Sequence, residues 1–233
     1  MLPFGVAALD RALPGGGLQL GAVHEIAGQG GDEEDCAAAA GFVAGILARI
    51  GNGTVLWCLK RPDLYGPGLA AHGLDPARLV LVSTRRDDRI LWALEEGLHA
   101  GRGAGLAAVV GEIGRLPMVA SRRLQLAAES AGVTALLLRR WRTGDEAAAE
   151  RGRPSAAVTR WRVASVPATE IAGEPGIGRP RWRVELLRCR GGRPAECVVE
   201  VADATGLVSL SAELADRPAA ASRPYPSPLR RVG

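Results

Sequence analysis

The sequence predicts an α/β protein, with a mainly parallel sheet carrying helices on both faces and extended near the C-terminus by antiparallel strands. Three observations carry this. Apolar runs of five or six residues alternate with helical periodicity from residue 22 to 138, the pattern of parallel strands buried on both faces. The regular helices then stop near residue 140. Beyond it, three segments alternate apolar and charged residues with period two, as half-exposed antiparallel strands do.

The first strand is Ala22-Val23-His24-Glu25-Ile26-Ala27, and a helix over 33–50 follows it. That helix presents Ala37, Ala40, Phe42, Val43, Ile46, Leu47 and Ile50 on its apolar face and ends at Gly51. Strands then read at 54–59, 79–83, 106–110 and 133–138, with helices at 87–100 and about 118–131. Thr143 to Ser155 is polar and rich in breakers and reads as a loop. The later strands are 158–163, 181–187 and 196–201. Arg-Trp-Arg-Val occurs twice in them, at 160–163 and 181–184, and reads as a strand pattern rather than a nucleic-acid box. Residues 167–180, with Pro167, Pro175 and Pro180, read as a loop. One core over 1–213 results, its antiparallel extension at about 156–213, followed by a Pro/Arg-rich flexible tail at 214–233.

Composition narrows the function classes. With 233 residues and 47% hydrophobic content the chain can bury a sizeable core. No run approaches the ~18 uninterrupted apolar residues of a membrane span, and the N-terminus lacks the basic and apolar stretches of a secretory signal. A cytoplasmic location with no membrane partner is expected. Lys60 is the only Lys among 29 basic residues. Residues 1–150 hold 15 basic and 17 acidic side chains, and 151–233 hold 14 and 8. That asymmetry suits nucleic acid or an acidic protein, and also a solvated Arg-rich surface. Cys36, Cys58, Cys189 and Cys197 show no C-x-x-C spacing, and the three His are scattered. No metal is therefore expected. Cys189 and Cys197 are placed to face each other across a hairpin, reduced in a cytoplasmic protein. Without G-x-S-x-G, triad hydrolysis has no support.

Gly28-Gln29-Gly30-Gly31-Asp32-Glu33-Glu34-Asp35 stands between the first strand and first helix, where a nucleotide-binding phosphate loop lies. The pattern G-x-x-x-x-G-K-[ST] uses glycine amides to cradle phosphates, a Lys for the β/γ-phosphates and a hydroxyl for Mg²⁺. Here Glu33 replaces the second Gly, Glu34 the Lys and Asp35 the hydroxyl. A like charge about 4 Å away costs ~4 kcal/mol at an effective dielectric of ~20. The carboxylates can instead cap the helix and complement its dipole, and the segment also reads as a plain acidic first turn. No nucleotide cofactor is expected.

Leu9-Asp10, Leu13-Pro14-Gly15-Gly16-Gly17, Gly21, Glu25-Ile26 and Gly28, in this order of elements, resemble the start of the RecA-type core. The likeness covers roughly residues 1–205. The missing Lys, the early start and the strand Arg-Trp-Arg-Val-Glu-Leu resemble the ImuA family, RecA-like accessory proteins of bacterial SOS mutagenesis and translesion synthesis. Alignment by element order implies further losses. The acidic residue beyond the second strand falls at Lys60-Arg61, the Walker-B-like strand ends in Gly111-Glu112, and the polar sensor falls at Arg139-Arg140. Together they imply that ATP hydrolysis is gone and that the chain is a pseudo-ATPase.

The resemblance further implies a non-catalytic adaptor, working with an ImuB-like Y-family-related protein and an error-prone DNA polymerase, with RecA a further candidate partner. The first DNA-contacting loop shrinks to about 111–117, and the second leaves Arg139, Arg140, Trp141 and Arg142. These four suit weak non-specific DNA binding, and equally a strand end with solvated Arg and a packed Trp. Trp161, Trp182, Arg181 and Arg183 are the candidate partner contacts, since Trp and Arg dominate interface hot spots. Two other readings stand beside this one. A RecA-type DNA-dependent ATPase or recombinase would need its Lys from Lys60, and SulA-like cell-division inhibitors share a core without a phosphate loop.

Overall fold

The computed structural model describes residues 1–30, 32–169 and 178–210. Gly31, residues 170–177 and the expected tail at 214–233 lie outside the described residues. After a short helix α1 (Ala7–Asp10), the chain alternates β1 (Val23–Gly28), α2 (Asp32–Ala48), β2 (Thr54–Leu59), α3 (Gly66–Ala71) and β3 (Leu79–Ser83). It continues through α4 (Asp87–Ala100), β4 (Leu106–Ile113), α5 (Met118–Ala131), β5 (Thr134–Arg139) and α6 (Gly144–Arg151). The last strands are β6 (Thr159–Thr169), β7 (Arg179–Cys189), β8 (Ala195–Glu200) and β9 (Ser209–Leu210).

The strands form one sheet in the order β3-β2-β4-β5-β1-β6-β7-β8-β9. β3, β2, β4, β5 and β1 are parallel, and β6 pairs parallel to β1 with Ile26 opposite Trp161. Antiparallel pairing begins only at β7 and continues to β9. The 158–163 strand is therefore not antiparallel to its inner neighbour; its position beside β1 extends the parallel sheet by one strand. Helices cover both faces. Val23, Ile90, Leu94, Val109, Leu124 and Leu137 form the core beneath α4 and α5. On the other face α2 packs Phe42, Val43 and Leu47 against β1, β6 and the N-terminal segment.

That second face holds the aromatic core. Phe4 stacks on Phe42 with ring centroids 5.7 Å apart, Trp161 lies 5.2 Å from Phe4, and Trp182 meets Phe42 edge-on at 6.4 Å. Gly41 permits this closeness, because a Cβ there would come within 2.9 Å of the Trp182 ring. His24 is fully buried beside this core. Its Nε2 donates to the Gln19 carbonyl at 2.8 Å and its Nδ1 meets Thr159 Oγ1 at 2.7 Å. Thr159 Oγ1 in turn accepts from Trp161 Nε1 at 2.6 Å. Burial pushes the His24 pKa down from 6.5 to about 4.

Three further differences have physical causes. The segment read as a loop contains α6, because Thr143 accepts from the Glu146 amide at 3.2 Å while Glu146 accepts from the Arg142 amide at 2.9 Å, a near-reciprocal helix cap. β3 is a sheet edge rather than a covered strand, and leaves Val80 and Leu81 at 50% and 52% exposure. Cys189 lies opposite Thr159 and Cys197 opposite Val184, so the two do not face each other, and none of the four cysteines forms a disulfide. Among the described residues no helix is long and apolar enough to cross a membrane.

Candidate functional site

The phosphate-loop position lies where β1 hands over to α2. Asp35, in the first turn of α2 and 8% exposed, turns its carboxylate back on the loop. Its Oδ2 accepts from the Gly30 amide at 2.8 Å and its Oδ1 from the Ser165 amide of β6 at 3.0 Å. The Gln29 amide donates to the Val163 carbonyl at 3.1 Å. From α6, Arg151 Nη2 donates to the carbonyls of Gly28 at 3.5 Å and Gly30 at 3.0 Å and to that of Gln29. Among the described residues, the Gln29 and Gly30 amides and the carbonyls of Gly28, Gln29 and Gly30 are thus engaged by the protein's own groups. Gly28 is close-packed as well, since a Cβ there would lie 2.8 Å from Asp35 Cβ. Glu33 and Glu34 sit in the same turn of α2 as Asp35.

β4 runs on to Ile113, so Glu112 is a strand residue, 1% exposed. Its Oε1 accepts from Trp57 Nε1 at 3.2 Å, and its Oε2 from the Lys60 amide at 3.0 Å and from Arg140 Nη1 at 2.9 Å. Arg140 also pairs with Asp63 at 2.7 Å, which holds the Asp63 carboxyl below its usual range. Lys60 pairs with Asp87 at 2.8 Å. Among the described residues, no cluster of His, Cys, Asp and Glu is arranged to hold a metal ion.

Arg139 is likewise internal. It donates to Glu25 at 2.6 Å and to the Gly114 carbonyl at 2.8 Å. Glu25, 2% exposed, also meets Arg160 at 3.2 Å and accepts from the Ser155 hydroxyl. Trp141 donates to the Gly114 carbonyl at 2.9 Å, with the guanidiniums of Arg139 and Arg151 at 5.2 and 5.6 Å from its ring centroid. Of the four candidate DNA residues only Arg142 is exposed, and the indole of Trp141 is 6% exposed at the wall of a basic cleft. Arg142 joins Lys60, Arg61, Arg85 and Arg140 around this cleft of about 450 Å³.

The candidate partner residues divide by strand alternation. Trp161 and Trp182 are 0% and 4% exposed and belong to the aromatic core, so their indoles are not a contact surface in this fold. Arg181 and Arg183 point to the other face of β7, where Arg181 donates to the Pro167 carbonyl at 2.9 Å and Arg183 meets Glu196 at 3.4 Å. Asp63, Asp87, Glu150 and Arg151 complete the strand-end network without being legible as site residues. Glu150 and Arg151 ride on α6, whose signal in the sequence is Thr143-x-x-Glu146.

A mainly parallel sheet with helices on both faces and a turn of phosphate-loop type after its first strand defines a RecA-like protein. A solved structure described as the RadB recombinase superposes with a TM-score of 0.55 at 16% identity, covering 91% of this chain and 100% of that one. No protein-family model matches the chain. Protein ImuA of Caulobacter vibrioides, from strains NA1000 / CB15N and ATCC 19089 / CIP 103742 / CB 15, is 40% identical over 212 residues, 88% of this chain and 84% of the relative. The chain belongs to the ImuA family.

Proposed function

We propose that this protein is a non-catalytic RecA-like adaptor in DNA damage-induced mutagenesis and translesion synthesis, acting in the cytoplasm by binding an ImuB-like protein and an error-prone DNA polymerase. One observation carries the non-catalytic half of this reading. The Asp35 carboxylate sits on the Gly30 amide, a loop donor of the kind a phosphate would use. The buried Glu112, already bonded to Arg140, supports it from the Walker-B side. Membership of the ImuA family supports the pathway and the partners.

On this reading the protein acts through its surfaces. With Trp161 and Trp182 internal, the exposed apolar side chains at the open sheet edge, Val80 and Leu81, are the better partner candidates, together with Arg181 and Arg183. DNA contact, where it occurs, falls to Arg85 and Arg142, whose guanidiniums line the basic cleft. Fluorescent-nucleotide titration and co-purification with the ImuB-like protein test the reading together. Complex formation without saturable nucleotide binding at millimolar concentration is expected. Saturable binding below about 100 μM, with Mg²⁺-dependent hydrolysis, would restore the ATPase.

A further inference from the structure

The β3 edge of the sheet is unguarded. Sheets protect their edges with charges, prolines, bulges or very short strands, because a free row of N–H and C=O groups pairs with any strand that approaches. The opposite edge follows this practice, since β9 is only the two residues Ser209 and Leu210. β3 does not. Leu79-Val80-Leu81-Val82-Ser83 carries no charge and no Pro, pairs with β2 in unbroken register, and leaves Val80 and Leu81 half exposed on opposite faces.

The backbone shows which groups face outward. The Thr84 amide donates to the Leu59 carbonyl of β2 at 2.9 Å, and successive strand residues turn their hydrogen-bonding groups to alternate sides. Val80 and Val82 therefore face β2 as Thr84 does, while the N–H and C=O groups of Leu79, Leu81 and Ser83 point away from the sheet. Among the described residues no strand pairs on that side of β3. A second copy turned about a two-fold axis through Leu81 would lie antiparallel, with Leu81 opposite Leu81 and Leu79 opposite Ser83. Every outward residue then meets an outward residue, and each facing pair exchanges both of its bonds. A shift of one residue sets outward groups against groups already bonded to β2, and a shift of two drops one outward residue from each strand. The side chains agree with this register, because Leu81 meets Leu81 on one face and Val80 meets Val82 on the other, with no opposed charge.

We propose that β3 pairs with β3 of a second copy of this chain in the Leu81-centred register, joining two sheets into one across a two-fold axis. The inference does not depend on the adaptor reading, and the ImuB-like protein reaches this edge only when the dimer separates. A contact of one strand is small, so the dissociation constant is expected on the order of 10 μM. Sedimentation equilibrium of the full chain should show the mass rising from that of one chain toward that of two as concentration passes through this range. Leu81→Asp brings two carboxylates together on the axis and should weaken the dimer at least about tenfold. Cross-linking reads the register. Facing Cα atoms of a hydrogen-bonded pair lie about 5.5 Å apart, within disulfide reach, so Leu81→Cys should link to itself under mild oxidation well above the level of the unsubstituted chain. Ser83→Cys, roughly 14 Å from its own copy in this register, should not. A chain that stays monomeric far above the expected range overturns the proposal, as does a dimer that Leu81→Asp leaves intact or equal linking at positions 81 and 83. Should Leu81→Asp not fold, the two cysteine variants still decide.

Discussion

Arg140, the residue just past the end of β5, donates through Nη1 to Glu112 Oε2 of β4 at 2.9 Å, and the two side chains are 6% and 1% exposed. Removing one partner of such a pair strands the other as an uncompensated buried charge, which costs about 3–5 kcal/mol. Arg140→Met should therefore lower the unfolding free energy by about that amount, measured by urea denaturation at neutral pH. The exposed partner Asp63 adds little, because solvent screens it. Combining Arg140→Met with Glu112→Gln should recover part of the loss, because a neutral amide remains in place of a stranded carboxylate. Equal stability of the single and double variants would show that Glu112 does not depend on Arg140.

His24 makes stability pH-dependent in a defined window. Its folded pKa of about 4 lies below the unfolded 6.5, so the unfolded chain binds the extra proton between these values. This contribution is complete above about pH 6.5 and shrinks as pH falls, by ~1.4 kcal/mol per unit and about 3 kcal/mol by pH 4. His24→Gln should flatten the slope of unfolding free energy between pH 6.5 and 4.5, read from denaturant midpoints at several pH values. An unaltered slope in the variant would assign the acid sensitivity to carboxylates instead.

Much of the fold is legible because period and punctuation agree along the chain. The strands at 54–59 and 79–83 and the helices at 87–100 and 118–131 have the boundaries read from their apolar patterns. Burial is less legible than pattern. Leu79 to Ser83 has the composition of a covered strand, yet only the sheet order makes β3 an edge. Trp161 and Trp182 alternate with Arg as interface residues would, but which face of the sheet is covered depends on where α2 and Phe4 pack. In the candidate site, the loss of Lys at Glu34 is visible in the sequence. The engagement of Asp35 with Gly30 and Ser165 is not, since the latter lies 130 residues away.

The two indoles predict a stability effect rather than a local binding effect. Truncating a fully buried aromatic costs about 3–5 kcal/mol through lost burial and the cavity left behind. Trp161→Ala should lose the most, because its indole also donates to Thr159 and contacts Phe4 and Phe42. Trp182→Ala should lose somewhat less. Denaturant unfolding of the isolated chain checks both, and an unchanged midpoint would place these residues outside the core. Leu81→Asp, at a half-exposed edge position, should leave that midpoint alone and weaken co-purification with the ImuB-like protein.

Asp35 offers the sharpest separation between a closed loop and a nucleotide site. Its carboxylate accepts from the Gly30 and Ser165 amides at 2.8 and 3.0 Å, and hydrogen bonds to an ionised acceptor contribute about 1.5–3 kcal/mol each. Asp35→Ala frees both amides, but Ser165 is exposed and its freed amide can turn to water, so a loss of about 1–3 kcal/mol in unfolding free energy is expected. The freed Gly30 amide does not restore an ATPase, because the Lys is still absent and Glu112 remains bonded to Arg140. Nucleotide titration of Asp35→Ala, by fluorescence and by phosphate release, should give at most weak binding that bulk salt suppresses, with no hydrolysis. Hydrolysis appearing in this single variant would mean that Asp35 alone restrains an intact catalytic site, and the pseudo-ATPase reading would have to be replaced by an autoinhibited enzyme.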